Sequence, residues 1–399
     1  MSGPGPSVLH RVDELPAERL PAYLYDLAAL RAHAARIRAA LPERVELYYA
    51  AKANPEAPLL VALRDAVDGY EVSSGGELEH VAAAVPDAPL AFGGPGKTPA
   101  EIDAALKAGV HRWHVESEQE LRRLAAAAEA ADRDVDVLLR ANLPVGSGAL
   151  DSVALAMGGR PTPFGMDPER VADCLRLLAG PGFERLRLRG VHAHLASGLA
   201  AAEQLELAER IVAWSVDLAA RHGFQLSEVN IGGGMAVDYA DPSALFDWTA
   251  FGRGLAELLD RHPGLTLRIE PGRAVTAYCG YYATEVLDVK HSHGEDVAVV
   301  RGGTHHIRTP ATRGHSQPFT VRPVDRWPHP WRRPEAGSGR VTVSGQLCTP
   351  KDVLAEQAEV ASLRTGDRIV FAMAGAYAWN ISHHEFLMHP RPGFHYLDA

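Results

Sequence analysis

VELYYAAKANPE, residues 45–56, sets the reading of everything around it. It opens as a short β run whose aromatic and branched residues suit a buried strand. It closes on Lys52 and on Asn54-Pro55, which help turn the chain into the next helix. A strand that ends on a reactive side chain and then turns into a helix is one repeat of an α/β protein.

The repeat recurs to residue 270. Seven more apolar runs follow: GYEVS (69–73), PLAFG (89–93), HRWHV (111–115), DVLLRA (136–141), RLRGVHAHL (187–195), SEVNI (227–231) and LTLRIE (265–270). Between them lie helical windows such as Glu77–Ala84, Pro99–Lys107, Ser117–Ala131, Pro168–Leu178, Ala200–Arg221 and Ser243–Leu259. Eight strand-helix repeats are what a TIM-like (β/α)8 barrel requires. A doubly wound open sheet alternates in the same way, and the polar residues separate the two. Strand after strand ends in Lys52, Ser73-Ser74, Gly93-Gly94, Arg140 with Asn142, His194, Gly232-Gly233-Gly234 or Glu270. A barrel gathers such ends at one mouth, whereas an open sheet spreads them along an edge.

After Gly272 the helices give way to period-two strands: YYATEVLDV, DVAVV, RVTVSG and DRIVFAM. The expectation is a barrel over 26–272, a mostly antiparallel β domain over 273–399, and an N-terminal segment, 1–25, pairing with the β domain. The Pro-, Trp- and Arg-rich stretch 322–339 is expected to be an exposed loop.

Composition bounds the function. The chain has 399 residues, 46% apolar and 23% charged, which is the globular range. Forty basic residues against fifty acidic leave a net charge of −10, so neither nucleic acid nor an anionic membrane is an expected partner. No apolar run approaches the roughly 18 residues of a membrane span, and MSGPGPSVLHRVDELP lacks the pattern of a secretory signal. A cytoplasmic protein is expected. Three scattered cysteines, Cys174, Cys279 and Cys348, make neither a disulfide framework nor a paired-cysteine zinc site.

Lys52 points into the expected mouth, where a desolvated lysine near other cations loses its proton readily and condenses with a carbonyl. Gly232-Gly233-Gly234 follow the seventh strand, and bare backbone there can close on a phosphate; a plain turn is the alternative. EPGR (270–273) adds Gly272 and Arg273 at the eighth, and loops after these two strands are a barrel's habitual phosphate site. AFGGPGKT (91–98) imitates a P-loop, but Ala91 stands where glycine is required. Histidine pairs at 192/194, 305/306 and 383/384 lack evident carboxylate or thiol partners, so no metal is expected. Cys348, in SGQLCTPKDVL between a strand and an apolar helical start, reads by itself as a small buried hydrophobe.

Taken in order, YAAKAN, EVSSGGELE, HAHLASG, VNIGGG, EPGR, the Cys348 segment and GAY (375–377) resemble the fold-type-III pyridoxal phosphate decarboxylases, typified by ornithine and diaminopimelate decarboxylases. The resemblance covers nearly the whole chain and implies the barrel-plus-β-domain fold shared with alanine racemase. It implies that Lys52 carries pyridoxal 5′-phosphate, that Gly232, Gly233, Gly234, Ser197, Arg273 and Tyr377 hold its phosphate, and that His194 stacks on its ring. Glu270 would pair with the pyridine nitrogen, and Glu71, Arg140 and Gly272 would complete the cofactor pocket. Cys348 would enter the neighbouring subunit's site and donate a proton to Cα, which makes a homodimer obligatory. A protonated pyridine is a strong electron sink, so the implied reaction is α-decarboxylation. An amino-acid racemase typically faces that nitrogen with arginine, and a non-catalytic binding regulator would be expected to lose Lys52 or the cofactor contacts.

Departures from the family bear on the substrate. Basic amino-acid decarboxylases place an acidic residue after the cysteine, where this chain has Thr349-Pro350, and Pro163 replaces the lysine before Phe164-Gly165. A distal ammonium is therefore disfavoured. GGTHHIRTPATRGH (302–315) and NISHHEFLMHPRP (380–392) offer donors suited to carboxylates, with His305, Arg308, Thr349 and His384 as the substrate candidates. These segments resemble the siderophore-biosynthesis branch, which implies an acidic conjugate such as citryl-diaminopropionate; diaminopimelate and a carrier-tethered amino acid are the alternatives.

Overall fold

The computed structural model describes residues 3–144, 155, 156, 158–310 and 314–398. Contacts divide the chain into a barrel unit (31–236 and 246–275) and a β unit (1–30, 237–245 and 276–399).

All eight apolar runs become parallel strands of one closed barrel: β1 (Val45–Ala50), β2 (Gly69–Val72), β3 (Leu90–Phe92), β4 (Arg112–Val115), β5 (Val135–Arg140), β6 (Leu186–His192), β7 (Glu228–Asn230) and β8 (Thr266–Ile269). β8 pairs with both β7 and β1 and so closes the ring. Every residue of β2, β3, β4 and β7 is buried, as parallel strands covered by helices demand. The helices after β2, β3 and β4 start on Ser74, Thr98 and Ser117, whose side chains accept the N–H groups of Glu77, Glu101 and Glu120. Each such cap is worth about 1 kcal/mol. The helix expected from Ser243 begins only at Trp248, where Asp247 caps it by accepting the Ala250 N–H.

Toward the N-terminal ends of the strands the barrel holds a buried ion web. Arg268 has no exposed side-chain surface, pairs with Glu46 and with Glu228 (2.9 Å), and lies 4.1 Å over the Tyr48 ring. Arg112 bridges Glu228 (2.6 Å) and Asp136 (2.9 Å). Two cations against three carboxylates leave no buried charge without a counterion.

The β unit bears out one expectation and corrects another. Its eight-stranded sheet is mostly antiparallel, with two parallel pairs: Ala22–Asp26 runs parallel to Gly393–Leu397 and antiparallel to Gly280–Ser292, and Glu295–Val300 runs parallel to Arg340–Ser344. The apolar segment after Cys348 is a strand, Val353–Glu359, antiparallel to Arg340–Ser344. Its Ala and Glu residues favour a helix, but cross-strand pairing overrides local preference. No helix among the described residues is long and apolar enough to cross a membrane.

Candidate active site

Lys52 lies on a short 3-10 turn, Ala51–Ala53, directly after β1. Its Nζ is 2.7 Å from Oε2 of Glu71, a buried residue of β2, and the Ser73 hydroxyl donates to Oε1 at 2.8 Å. Burial works to raise the Glu71 carboxyl, but Lys52, Ser73 and Arg140 outweigh it and hold the group below the ordinary carboxylate range.

Glu270, at the end of β8, is shifted the other way. Burial, reinforced by repulsion from Glu71, pushes its carboxyl up to about 7. Its Oε1 accepts a 2.7 Å hydrogen bond from Asn230 Nδ2. Its Oε2 accepts no hydrogen bond among the described residues; His192 Nε2 stands 3.8 Å away. His114, His192 and Glu270 bring one donor atom each within 4.8 Å of one another, so His192 does have a carboxylate neighbour that the linear sequence hides. Burial drives both imidazoles far below their usual range, and they are neutral.

The glycine turn has no room for side chains. Gly232 has φ +70°, and a Cβ there would lie 2.5 Å from His194 Nδ1; Cβ atoms at Gly233 and Gly234 would come within 2.4 Å of the Glu270 carbonyl and 2.2 Å of the Ala196 carbonyl. The Gly233 N–H donates to His194 Nδ1 (3.2 Å), and Gln204 donates to the Gly233 carbonyl (3.0 Å). Burial, then Arg140 and Lys52, push His194 down to about 3, leaving a neutral ring suited to stacking. Ser197 lies on a two-residue strand, Ala196–Ser197. Gly272 sits against Ala53, whose Cβ an added methyl would meet at 2.7 Å. Arg273 begins the one-turn helix Arg273–Thr276.

Arg140 pairs with Glu116 and lies 4.8 Å over the Phe164 ring, while the Gly165 N–H donates to Glu116 (2.8 Å). The segment after Pro163 is thereby tied to the barrel without the family's lysine. Lys97 of the P-loop imitation is buried on the Gly94 and His114 carbonyls and on Glu120, a structural set of contacts.

In the β unit the two His- and Arg-bearing loops meet. The Arg308 N–H donates to the Ser382 hydroxyl (3.1 Å), and its Nη1 lies 2.9 Å from His383 Nδ1. His384 stacks on Trp379 at 3.5 Å. His305 is fully buried against His306 and His389, so it has no open face within its unit, and burial pushes it down to about 4. Ala311, Thr312 and Arg313 lie outside the described residues. Tyr377, at φ +49°, accepts the Thr309 hydroxyl on its carbonyl (2.6 Å). Cys348 is exposed, Thr349 is half-buried, and their loop is clamped by Asp352, which accepts from the Leu347 N–H and from Thr304.

Asn230, His114, Glu116 and Asp352 are absent from the sequence reading. The signal for the first two is a second polar side chain in a short buried strand, EVN or RWHV, where the other, Glu228 or Arg112, belongs to the ion web, so the pattern by itself resembles a structural polar contact.

Residues 27–277 match the family model described as "Pyridoxal-dependent decarboxylase, pyridoxal binding domain". The chain is 39% identical to a 2-((L-alanin-3-ylcarbamoyl)methyl)-2-hydroxybutanedioate decarboxylase of Staphylococcus aureus, over 97% of this chain and 96% of the relative. It is 31% identical to an L-glutamyl-(BtrI acyl-carrier protein) decarboxylase of Niallia circulans, over 93% and 87%. A crystal structure of a point mutant of diaminopimelate decarboxylase from Helicobacter pylori complexed with L-lysine shares the fold, with TM-score 0.83 and 23% identity over 98% of this chain and 94% of that one.

Proposed function

This chain belongs to the pyridoxal-dependent decarboxylases, and on that premise we propose that it removes the α-carboxylate of an acidic amino-acid conjugate in siderophore or related secondary-metabolite biosynthesis. The barrel mouth fits pyridoxal 5′-phosphate: an amine at Lys52, a side-chain-free glycine turn for the phosphate, and a buried carboxylate with one oxygen to spare at Glu270. When bound, the cofactor supplies an aldehyde for the substrate amine and a sink for the electrons released with CO2. Glu71 orients the Lys52 amine, His194 covers the ring face and limits water, and Glu270 holds a proton on the ring nitrogen. Cys348 is proposed to serve the site of a second subunit as proton donor to Cα, in a cytoplasmic homodimer.

One observation carries the substrate class: the 39% identity, end to end, to the Staphylococcus aureus enzyme. That enzyme's named substrate joins an alanine through its C3 and an amide to a hydroxybutanedioate, which places two further carboxylates beyond the reacting centre. Thr349-Pro350 supports the same class, since neither residue can pair with a distal ammonium, and a cation desolvated without a partner costs several kcal/mol. Arg308 offers the guanidinium for a distal carboxylate. Steady-state assays should show citryl-diaminopropionate decarboxylated far faster than ornithine, lysine or diaminopimelate. A higher kcat/KM for any of those three would remove the proposed class. The Niallia circulans relative favours a carrier-tethered amino acid as the second reading, which full turnover of a carrier-free conjugate would exclude.

A further inference from the structure

Asn230 is fully buried at the end of β7, and each polar atom of its amide has a partner. Its Oδ1 accepts the Gly232 N–H at 2.8 Å. Its Nδ2 donates to Glu270 Oε1 at 2.7 Å and lies 3.2 Å from His114 Nε2. A primary amide carries two N–H bonds, one for each of these neighbours. With Nδ2 as the donor, His114 Nε2 accepts and the ring proton is assigned to Nδ1, which is buried and has no hydrogen-bond partner among the described residues. Rotating the amide by half a turn would set Oδ1 against the Glu270 oxygen and Nδ2 against the Gly232 N–H, losing two buried hydrogen bonds. The orientation is therefore fixed, and with it the choice of Glu270 oxygen: Oε1 is engaged and Oε2 is left over. His192 backs the arrangement, its ring centroid 4.2 Å from that of His114.

We infer that Asn230, oriented by His114, is a positioning residue that ties the glycine phosphate turn to the Glu270 carboxylate, so that the cofactor's phosphate and its ring nitrogen are held in register by one amide. The inference rests on Glu270 being the partner of the pyridine nitrogen. Neither Asn230 nor His114 needs to touch the cofactor for this role.

The test uses the full-length protein reconstituted with cofactor labelled with 15N in the ring. The nitrogen's chemical shift reads its protonation independently of turnover, and a fluorescence titration of the cofactor-free protein reads affinity. Asn230→Ala removes both ties: affinity should fall at least about tenfold, the scale of a lost buried hydrogen bond, and the shift should move toward the neutral ring. Asn230→Asp keeps the acceptor for Gly232 but removes both donors, so the nitrogen shift should move while affinity falls less. This near-isosteric variant also serves if the alanine variant fails to fold. His114→Leu should reproduce the shift change, and His114→Gln, which retains an acceptor, should restore part of it. Glu270→Gln separates the two levels. If it moves the nitrogen shift while Asn230→Asp and His114→Leu leave it unmoved, the coupling is wrong and the role of Glu270 stands. If Glu270→Gln also leaves it unmoved, the pairing of Glu270 with the ring is wrong, and the coupling falls with it.

Discussion

Glu71 and Glu270 show how one mouth makes two different acids from the same side chain. Glu71 is held ionised by Lys52 and Ser73, whereas Glu270 is enclosed, faces that charge, and rises to about 7. A carboxyl whose folded pKa exceeds its ordinary value of 4.5 binds its proton more tightly in the folded than in the unfolded chain. Its stabilising contribution is complete below the ordinary value and is lost as pH rises through about 7. Glu270→Gln imitates the protonated form. The cofactor-free variant should lie within about 1 kcal/mol of the parent in urea melts at pH 5 and exceed it at pH 8 by up to about 3 kcal/mol. A stability difference that does not widen with pH would show that Glu270 is not poised in this way. Lys52 and Glu270 were legible in the sequence because reactive side chains at strand ends have few packing roles. Asn230 and His114 were not, because their significance lies in the hydrogen bond each accepts or donates across the barrel.

At the level of elements, the turn after β7 depends on both conformation and space. Gly232 and Gly223 have nearly the same backbone, φ +70° and +68°, but a Cβ at Gly223 meets nothing within 4 Å, while one at Gly232 strikes His194. Both alanine variants should suffer the roughly 1–2 kcal/mol of a left-handed L residue. Only Gly232→Ala should also displace His194, so cofactor affinity measured by titration should fall at least about tenfold in that variant and stay near the parent value in Gly223→Ala. Equal affinities would remove the turn from the cofactor site. Barrel strands were readable from the sequence because short apolar runs recur between helical windows. The segment after Cys348 was not, since Ala- and Glu-rich VLAEQAE becomes a strand only through its partner Arg340–Ser344.

For the whole molecule, a proposed shared site makes a prediction that no single-chain mechanism shares. Homodimers of Lys52→Ala and of Cys348→Ala should each be inactive or nearly so. Mixed under verified subunit exchange, they should regain part of the parent activity, because a heterodimer would hold one site with both residues intact. No recovery would confine Cys348 to its own chain or remove it from catalysis. The barrel is legible at this scale because its strands pair mostly with sequence neighbours. The β unit is less so: Ala22–Asp26 finds Gly393–Leu397 at the other end of the chain, and no local pattern announces such a partner. The barrel has one long-distance joint of its own, where Arg268 of β8 meets Glu46 of β1, 222 residues earlier. On the ribosome, at about 5–20 residues per second, β1 waits roughly 10–45 s for the strand that completes the ring. Any sheet assembled within that interval has two raw edges, and Glu46 has yet to meet Arg268. The last turn of the barrel to be translated is therefore the one that makes it a barrel.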